Sequence, residues 1–400
     1  MKKSSSFTYY LCPNSYTWFG SGPAITATHH NAGEIMSYRI IVWGTGFVGK
    51  SVLRDLLDHP NFEIAAVIVN AAEKDGKDLA EILGGEDLEI EDTGIRATRD
   101  SAAALALEAD AVAYFGPSAM HAAVNIENLT AALRAGKNVV DTSMGVFHNP
   151  KLTPKELLEP VAAACKEGGT TFFSGGIDPG FANDLFPMTL LGLCGRVDSV
   201  RTTEYIDAGS YPDQESLKMM GLMKPTDQPA LLEQMPGMMT GIWGGPLYMI
   251  AEALGVKIDE TREVYRRWPA PKAIDFPLGR LEAGDCAAHR IELQGIIDGE
   301  PRIFIDHLHR MYPEAAPDWP RPQLDPVHAN RIEIEGSPRV VQETVLVDER
   351  TGDGNGGGCL STGMRAINAI PTVCAAAPGI ISTLDLPLIA GRGGMRAGFR

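Results

Sequence analysis

The stretch Arg39-Ile-Ile-Val-Trp-Gly-Thr-Gly-Phe-Val-Gly-Lys50 decides the fold. Ile40 to Trp43 is a short apolar run rich in β-branched side chains, the pattern of a strand buried in a parallel sheet. It passes straight into Gly44-x-Gly46-x-x-Gly49, after which Val52, Leu53, Leu56 and Leu57 recur on one face of a helix. The order has a mechanism. Gly44 makes the tight turn, Gly46 lets the backbone approach a pyrophosphate, and Gly49 allows close packing of helix on strand. The helix N-terminus then faces the phosphate charge. Thr45, Phe47 and Val48 belong to the same site, and a dinucleotide is the expected ligand.

Beyond the first helix, strands and helices alternate, the signature of a doubly wound parallel sheet. Ile64 to Val69 and Asp110 to Phe115 read as strands, and the helix Asn125 to Ala135 ends at Gly136 and leads into Asn138-Val-Val-Asp141. A helix around residues 154–167 precedes a strand from Thr170 to Phe173. Ligands of such sheets bind at the carboxyl ends of the strands. The residues there are the glycine turn, Asn70, Gly116-Pro117, Asp141-Thr142-Ser143 and the loop Gly175-Gly176-Ile177-Asp178-Pro179-Gly180. From about Asn183 the texture changes. Ser199 to Asp207, Ala288 to Ile297 and Arg331 to Glu335 alternate apolar and polar residues, as strands covered on one face do. A Met-rich helical stretch, Leu217 to Ala253, lies between them.

The expected fold class is therefore α/β: a Rossmann doubly wound parallel sheet in residues 36–182, with a second α+β domain carrying a mainly antiparallel sheet in residues 183–350. The glycine-rich stretch Thr351 to Gly358 reads as a loop, and residues 359–400 as a segment that returns to the first domain. Residues 1–35 are Ser/Thr/Gly-rich without apolar periodicity and read as a disordered extension.

Charge narrows the partners. The 400 residues carry a net charge of −16, which opposes binding to nucleic acid or to an anionic membrane surface. Six scattered cysteines with no C-x-x-C pair suit a reduced cytoplasmic protein with neither zinc nor a disulfide framework.

Cofactor choice turns on the end of the second strand, where an NAD site usually places an acid for the ribose diol. Asn70 stands there, with Lys74 and Lys77 able to meet a 2′-phosphate and Glu73 able to serve the diol. NADP is the expected cofactor and NAD the alternative. Asp178 and Asp141 lie at strand ends beside the expected nicotinamide and are candidate acid/base groups, although a loop Asp also caps backbone N–H groups. Glu204, in the second domain, is the third candidate. His307 and His309 alternate along a strand and so point the same way. With no third ligand evident they read as pocket lining rather than a metal site. With Tyr211, Met219 and Trp243 they form the candidate substrate pocket.

Several stretches carry a resemblance: Val42-Trp-Gly-Thr-Gly-Phe-Val-Gly49, Ala135-Gly-Lys-Asn-Val-Val140, Gly176-Ile-Asp-Pro-Gly-Phe181, Ala316-Pro-Asp-Trp-Pro320, Asn368-Ala-Ile-Pro371, Ala377-Pro-Gly379 and Asp385-Leu-Pro387. Across roughly residues 37–392 the chain resembles the dihydrodipicolinate-reductase-like oxidoreductases. Within them it is most similar to the branch of 2,4-diaminopentanoate dehydrogenase and the native amine dehydrogenases. The resemblance implies a second domain that also dimerises, giving a homodimer, and places Asn368 among the cofactor contacts. It implies NAD(P)H-dependent reduction of a C=N or C=O carbon, with an amine, ketone or aldehyde as the small-molecule substrate. In the amine dehydrogenases of this group a Glu stands near the strand end that here reads Asp141-Thr-Ser-Met144, and Asp178 occupies a position where relatives often have Asn.

Overall fold

The computed structural model describes residues 37–84, 92–117, 121–325 and 328–395. The reading of residues 1–35 as a disordered extension lies outside the described residues. The first sheet has seven strands: β1 (Tyr38–Trp43), β2 (Phe62–Ile68), β3 (Ala97–Thr98), β4 (Ala111–Tyr114), β5 (Asn138–Asp141) and β6 (Thr171–Ser174), joined late in the chain by Gly379–Ile381. The last of these pairs with β6 through Ile380 and Phe172, and every pairing in the sheet is parallel. Strand order places β1 between β2 and β4, so the crevice for a ligand opens where the winding reverses, beyond Trp43 and Tyr114. Both faces of β1 are buried. Ile40 and Val42 enter one apolar layer with Val52, Leu53 and Leu56, while Ile41 and Trp43 enter another with Leu129, Leu133 and Val161. That two-sided burial is why the strand reads as a continuous apolar run.

The second sheet has six strands: β7 (Arg196–Asp207), β8 (Glu260–Pro269), β11 (Cys286–Ile297), β12 (Glu300–Arg310), β13 (Ala329–Ser337) and β14 (Val340–Thr344); a small hairpin, β9 (Ile274–Phe276) and β10 (Gly279–Leu281), stands apart. The returning strand Gly379–Ile381 is β15. The order is β14-β13-β7-β12-β11-β8, antiparallel except for β12 beside β7. Helix Met238–Leu254 covers one face through Met239, Trp243, Leu247 and Ile250, against Ile291, Leu293, Ile303 and Ile305.

One expectation is corrected. The glycine-rich stretch 351–358 is not a loop throughout: from Gly354 it is the start of a 22-residue helix, Gly354–Ala375, whose N-terminus is capped by Asp353, its Oδ1 accepting from Gly356 N at 2.8 Å. Its glycines serve packing. A Cβ on Gly357 would meet the Leu346 carbonyl carbon at 2.5 Å, and one on Gly363 would meet Val52 Cγ2 at 2.0 Å. Glycine's usual cost in a helix, about 1 kcal/mol against alanine, is offset by that close approach. The helix lies on the first sheet through Ala366, Ile367, Ile370 and Val373. Among the described residues no helix is long and apolar enough to cross a membrane.

Candidate active site

The glycine turn is sterically committed. Gly44 has φ +114°, and a Cβ there would lie 2.1 Å from Phe115 O; one on Gly49 would lie 2.0 Å from Gly44 O. Around Gly46, by contrast, a Cβ would meet nothing within 4 Å. Gly46 is also the N-cap of helix Phe47–Leu56 and brings no side-chain cap. The first N–H groups of that helix thus face open space, as a pyrophosphate site requires. Lys74 reaches back across the turn, its Nζ donating to Thr45 O at 3.0 Å and lying 3.1 Å from Thr45 Oγ1. Asn70 is exposed just past the end of β2. These residues fit a dinucleotide.

From the turn a cleft of about 660 Å³ runs to the second sheet. Its lining takes in Gly46, Phe47, Val48, Gly49, Gly116, Pro117, Thr142, Ser143 and Gly176 on the dinucleotide side. On the far side stand Asp178, Glu204, Tyr211, Met219, Trp243 and His309. Sequence candidates from both halves therefore meet in one cavity. Asn368 does not line it: it sits in helix Gly354–Ala375 with a Cβ on Gly391 passing 3.6 Å from its Nδ2. The cofactor contact that the resemblance implies for Asn368 is thus not part of this cleft's lining.

Asp141 is likewise corrected as an acid/base candidate. It is fully buried, and its carboxylate accepts from Ser143 N and Oγ (2.9 and 2.7 Å), Met144 N (3.0 Å) and Ser174 Oγ (2.8 Å). Four donors saturate it, and it is absent from the cleft lining. It fastens the β5 and β6 ends together, the capping role open to any loop Asp.

Asp178 differs. Its loop is held by Gly180, φ +148°, where a Cβ would fall 2.2 Å from Gly176 O, and by Asn183 Oδ1, which accepts from Gly180 N at 2.8 Å. The carboxylate meets His307 Nε2 at 2.9 Å, with both side chains almost wholly buried. Burial alone would lower the imidazole's pKa, but the charge and hydrogen bond of Asp178, with Glu204 and Asp306 behind, outweigh it and raise the value to about 9. His307 is therefore imidazolium at neutral pH, in an ion pair, with Trp243 packed against its ring at 4.5 Å between centroids. Glu204 completes a trio whose nearest polar atoms all lie within 4.8 Å of one another. The sequence offered His307 no third partner; the structure supplies two carboxylates, one of them in a hydrogen bond with its ring.

Burial, then the charge of Asp178, pushes Glu204 well above the usual carboxylic range despite the opposing pull of His307. Glu204 thus faces the cleft with its acid form favoured. His309 lies next to it, Nε2 to Glu204 Oε2 at 3.5 Å, and burial holds this imidazole well below its ordinary pKa. The two histidines share a face, as alternation indicated, but each serves a different carboxylate. The third acid in the lining, Asp213, caps helix Gln214–Met219 through Ser216 N at 3.1 Å.

Two more lining residues escaped sequence reading. His148 and His328 are buried with both ring nitrogens unpartnered among the described residues, and burial pushes His148 down to about 4. Neither sits in a periodic pattern or a motif that would have marked it. No lysine or arginine lines the cleft among the described residues.

A strand–glycine–helix phosphate cradle opening onto a buried acid pair is the layout of a nicotinamide-dependent oxidoreductase. Comparison with known proteins agrees. Residues 40–173 match the saccharopine dehydrogenase NADP binding domain, and residues 237–397 match the 2,4-diaminopentanoate dehydrogenase C-terminal domain. The chain is 38% identical over 355 residues to an amine dehydrogenase from Streptomyces virginiae, an alignment covering 87% of this chain and 96% of that one. It is 25% identical over 256 residues to a 2,4-diaminopentanoate dehydrogenase from Acetoanaerobium sticklandii, covering 63% and 67%. The chain belongs to the amine dehydrogenase family and is an NAD(P)-dependent oxidoreductase. An amine dehydrogenase structure from Mycobacterium smegmatis shares the fold with a TM-score of 0.71 at 22% identity, covering 89% of this chain and 98% of that one. A probable dehydrogenase from Thermotoga maritima does so more loosely, with a TM-score of 0.52 at 17% identity, covering 86% and 91%.

Proposed function

We propose that the protein reduces the imine formed from ammonia and an apolar ketone or aldehyde, with NADPH as the preferred cofactor, and catalyses the reverse oxidation of the amine. The observation that carries this reading is the single cleft joining the open Gly46 cradle to Glu204 and the Asp178–His307 pair. Gly44 to Gly49, Gly116, Thr142, Ser143 and Gly176 would hold the dinucleotide, and Lys74 beside Thr45 favours one bearing a 2′-phosphate. When bound, the cofactor supplies the hydride.

The chain's own groups handle protons and charge. Addition of ammonia to the carbonyl gives a carbinolamine; Glu204 donates its proton to the hydroxyl, which leaves as water, and an iminium results. Asp178 has a second carboxylate oxygen beyond the one His307 uses, an acceptor for ammonium or iminium N–H. Trp243, Met219, Met220 and Met238 make the substrate wall apolar. With no cation in the described lining, a substrate carboxylate has no counterion, so the reading favours amines and carbonyls that lack one. NADPH oxidation measured over a panel of aldehydes and ketones, with and without ammonium, tests it. Ammonium-dependent oxidation supports the reading, and equal rates without ammonium make the protein a carbonyl reductase.

A homodimer is part of this proposal. The face of the second sheet opposite helix Met238–Leu254 carries Arg201 and Arg290 paired with Glu292 and with Asp306, which is 1% exposed; so enclosed a charge network suits a polar subunit interface. Sedimentation of the purified protein checks it. The five described cysteines are free, which supports a reducing compartment such as the cytoplasm.

A further inference from the structure

One line of side chains crosses the second sheet on the face that meets the cleft. Glu204 is on β7, His309 on β12, His289 on β11 and Tyr265 on the edge strand β8. His289 and His309 are register partners, and Tyr265 is the partner of Ile291, two residues from His289. Glu204 Oε2 lies 3.5 Å from His309 Nε2; His309 Nδ1 lies 2.9 Å from His289 Nε2; His289 Nδ1 lies 3.4 Å from Tyr265 Oη; and Tyr265 Oη donates to Met220 O at 2.5 Å. His289 is completely buried, and neither it nor Tyr265 lines the cleft.

The far end fixes the direction of the whole line. A carbonyl oxygen only accepts, so the one proton of Tyr265 goes to Met220 and Tyr265 Oη accepts from His289 Nδ1–H. A neutral imidazole carries one N–H, so His289 Nε2 accepts from His309 Nδ1–H, and His309 Nε2 is left as an acceptor. Its partner, Glu204 Oε2, must then bring the proton. We propose that His309, His289 and Tyr265 are positioning residues whose directed hydrogen bonds, anchored on the Met220 carbonyl, keep Glu204 a proton donor for the reaction. The proposal rests on the reading of Glu204 as the acid of the reduction. Burial favours the neutral imidazoles it needs, pushing His289 down to about 3. The other groups facing the line are Asp178 and His307 near Glu204, Tyr211 and Cys359 across the cleft, His328 near His309, Arg267 beside His289, and Cys286 beside Tyr265. Arg267 is itself paired with Glu233.

Cutting the line lets His309 reverse and donate Nε2–H, which favours the Glu204 carboxylate. The test uses His289→Phe and Tyr265→Phe, each followed through the pH dependence of NADPH oxidation. In the wild type, activity falls as pH rises through the Glu204 pKa. The expected result is that this alkaline limb moves down by about one pH unit, a tenfold change in proton affinity, in one or both variants. A purely structural role would lower the plateau or the melting temperature and leave the limb in place. A second readout needs no turnover: the infrared difference between wild type and Glu204→Gln should show a protonated carboxyl band at neutral pH that weakens in the Phe variants. A wild-type band with no ammonium-dependent activity would sustain this inference and defeat the proposed reaction. An absent wild-type band, or limbs and band unmoved in both variants, would overturn it.

Discussion

The two ends of the cleft are built in opposite ways. At the dinucleotide end the phosphate cradle is one continuous run of chain: β1, the glycine turn and helix Phe47–Leu56 are covalent neighbours. Their constraints are backbone ones, such as Gly49, where a Cβ would fall 2.0 Å from Gly44 O, and the open space beyond Gly46. At the other end, Asp178, Glu204, His309, His289 and Tyr265 come from a loop and four strands, and their neighbourhood depends on the parallel β7–β12 pairing and the antiparallel β12–β11 and β11–β8 pairings. Backbone shape governs one end and side-chain proton placement the other. A change at the first should act on cofactor binding and stability, whereas a change at the second should act on turnover and its pH dependence.

The largest expected effect is at the proton end. Glu204→Gln keeps the shape and removes the acid, so turnover should fall about a hundredfold, the order general acids contribute, with NADPH affinity unchanged. Steady-state kinetics beside a direct NADPH titration check this; a matching loss of affinity would erase the division between the ends.

Next come two alanines at the dinucleotide end that should behave differently from each other. Gly49→Ala forces a Cβ into backbone and should cost about 1–3 kcal/mol of stability, read as a lowered melting temperature. Gly46→Ala has room in the free protein, so stability should hold while NADPH binds about tenfold more weakly, roughly 1.4 kcal/mol. Unchanged affinity in Gly46→Ala would remove the pyrophosphate from that turn.

The two strand-end aspartates then set the ends side by side within one sheet. Asp178→Asn should lower turnover about tenfold, roughly 1.4 kcal/mol of barrier. It should also release His307 from its raised pKa. In the wild type the ion pair's stabilisation is full below about 6.5 and is lost as pH rises through about 9, because His307 binds its proton more tightly in the folded state. The Asn variant should show a flatter melting temperature across that window. Asp141→Asn should instead lose stability, with near-normal specific activity in what folds, since four donors surround it and Asp141 itself does not line the cleft. The smallest effect is expected at exposed Asn70. Asn70→Asp should weaken NADPH relative to NADH by about 1 kcal/mol through repulsion of a 2′-phosphate; equal effects on both cofactors would place Asn70 away from the ribose.

What the sequence disclosed follows the same division. Local signals were enough for β1, the turn, the first helix and the strand-end loops, because each is a contiguous stretch and Gly44 and Gly49 leave no room for a Cβ. The shared face of His307 and His309 was visible from alternation, yet the carboxylate each would meet depended on strand partners far along the chain. Asp141 and Asp178 looked alike at strand ends. Only the fold shows that Ser143, Met144 and Ser174 saturate one, while the other meets a histidine from β12. The glycines at 354–358 misled for a related reason: glycine density signals a turn locally, but here it answers close packing against Leu346 and His328, residues brought up by tertiary structure.

The central claim is that one cleft joins nicotinamide hydride transfer to imine chemistry. Supplying a carboxylate-free ketone, ¹⁵N-ammonium and NADPH deuterated at the nicotinamide C4, and weighing the product, tests it most directly. The account predicts an amine carrying both labels, formed by the wild type and nearly lost in Glu204→Gln. An alcohol that carries deuterium and no nitrogen, or a doubly labelled amine made equally well by Glu204→Gln, would contradict it.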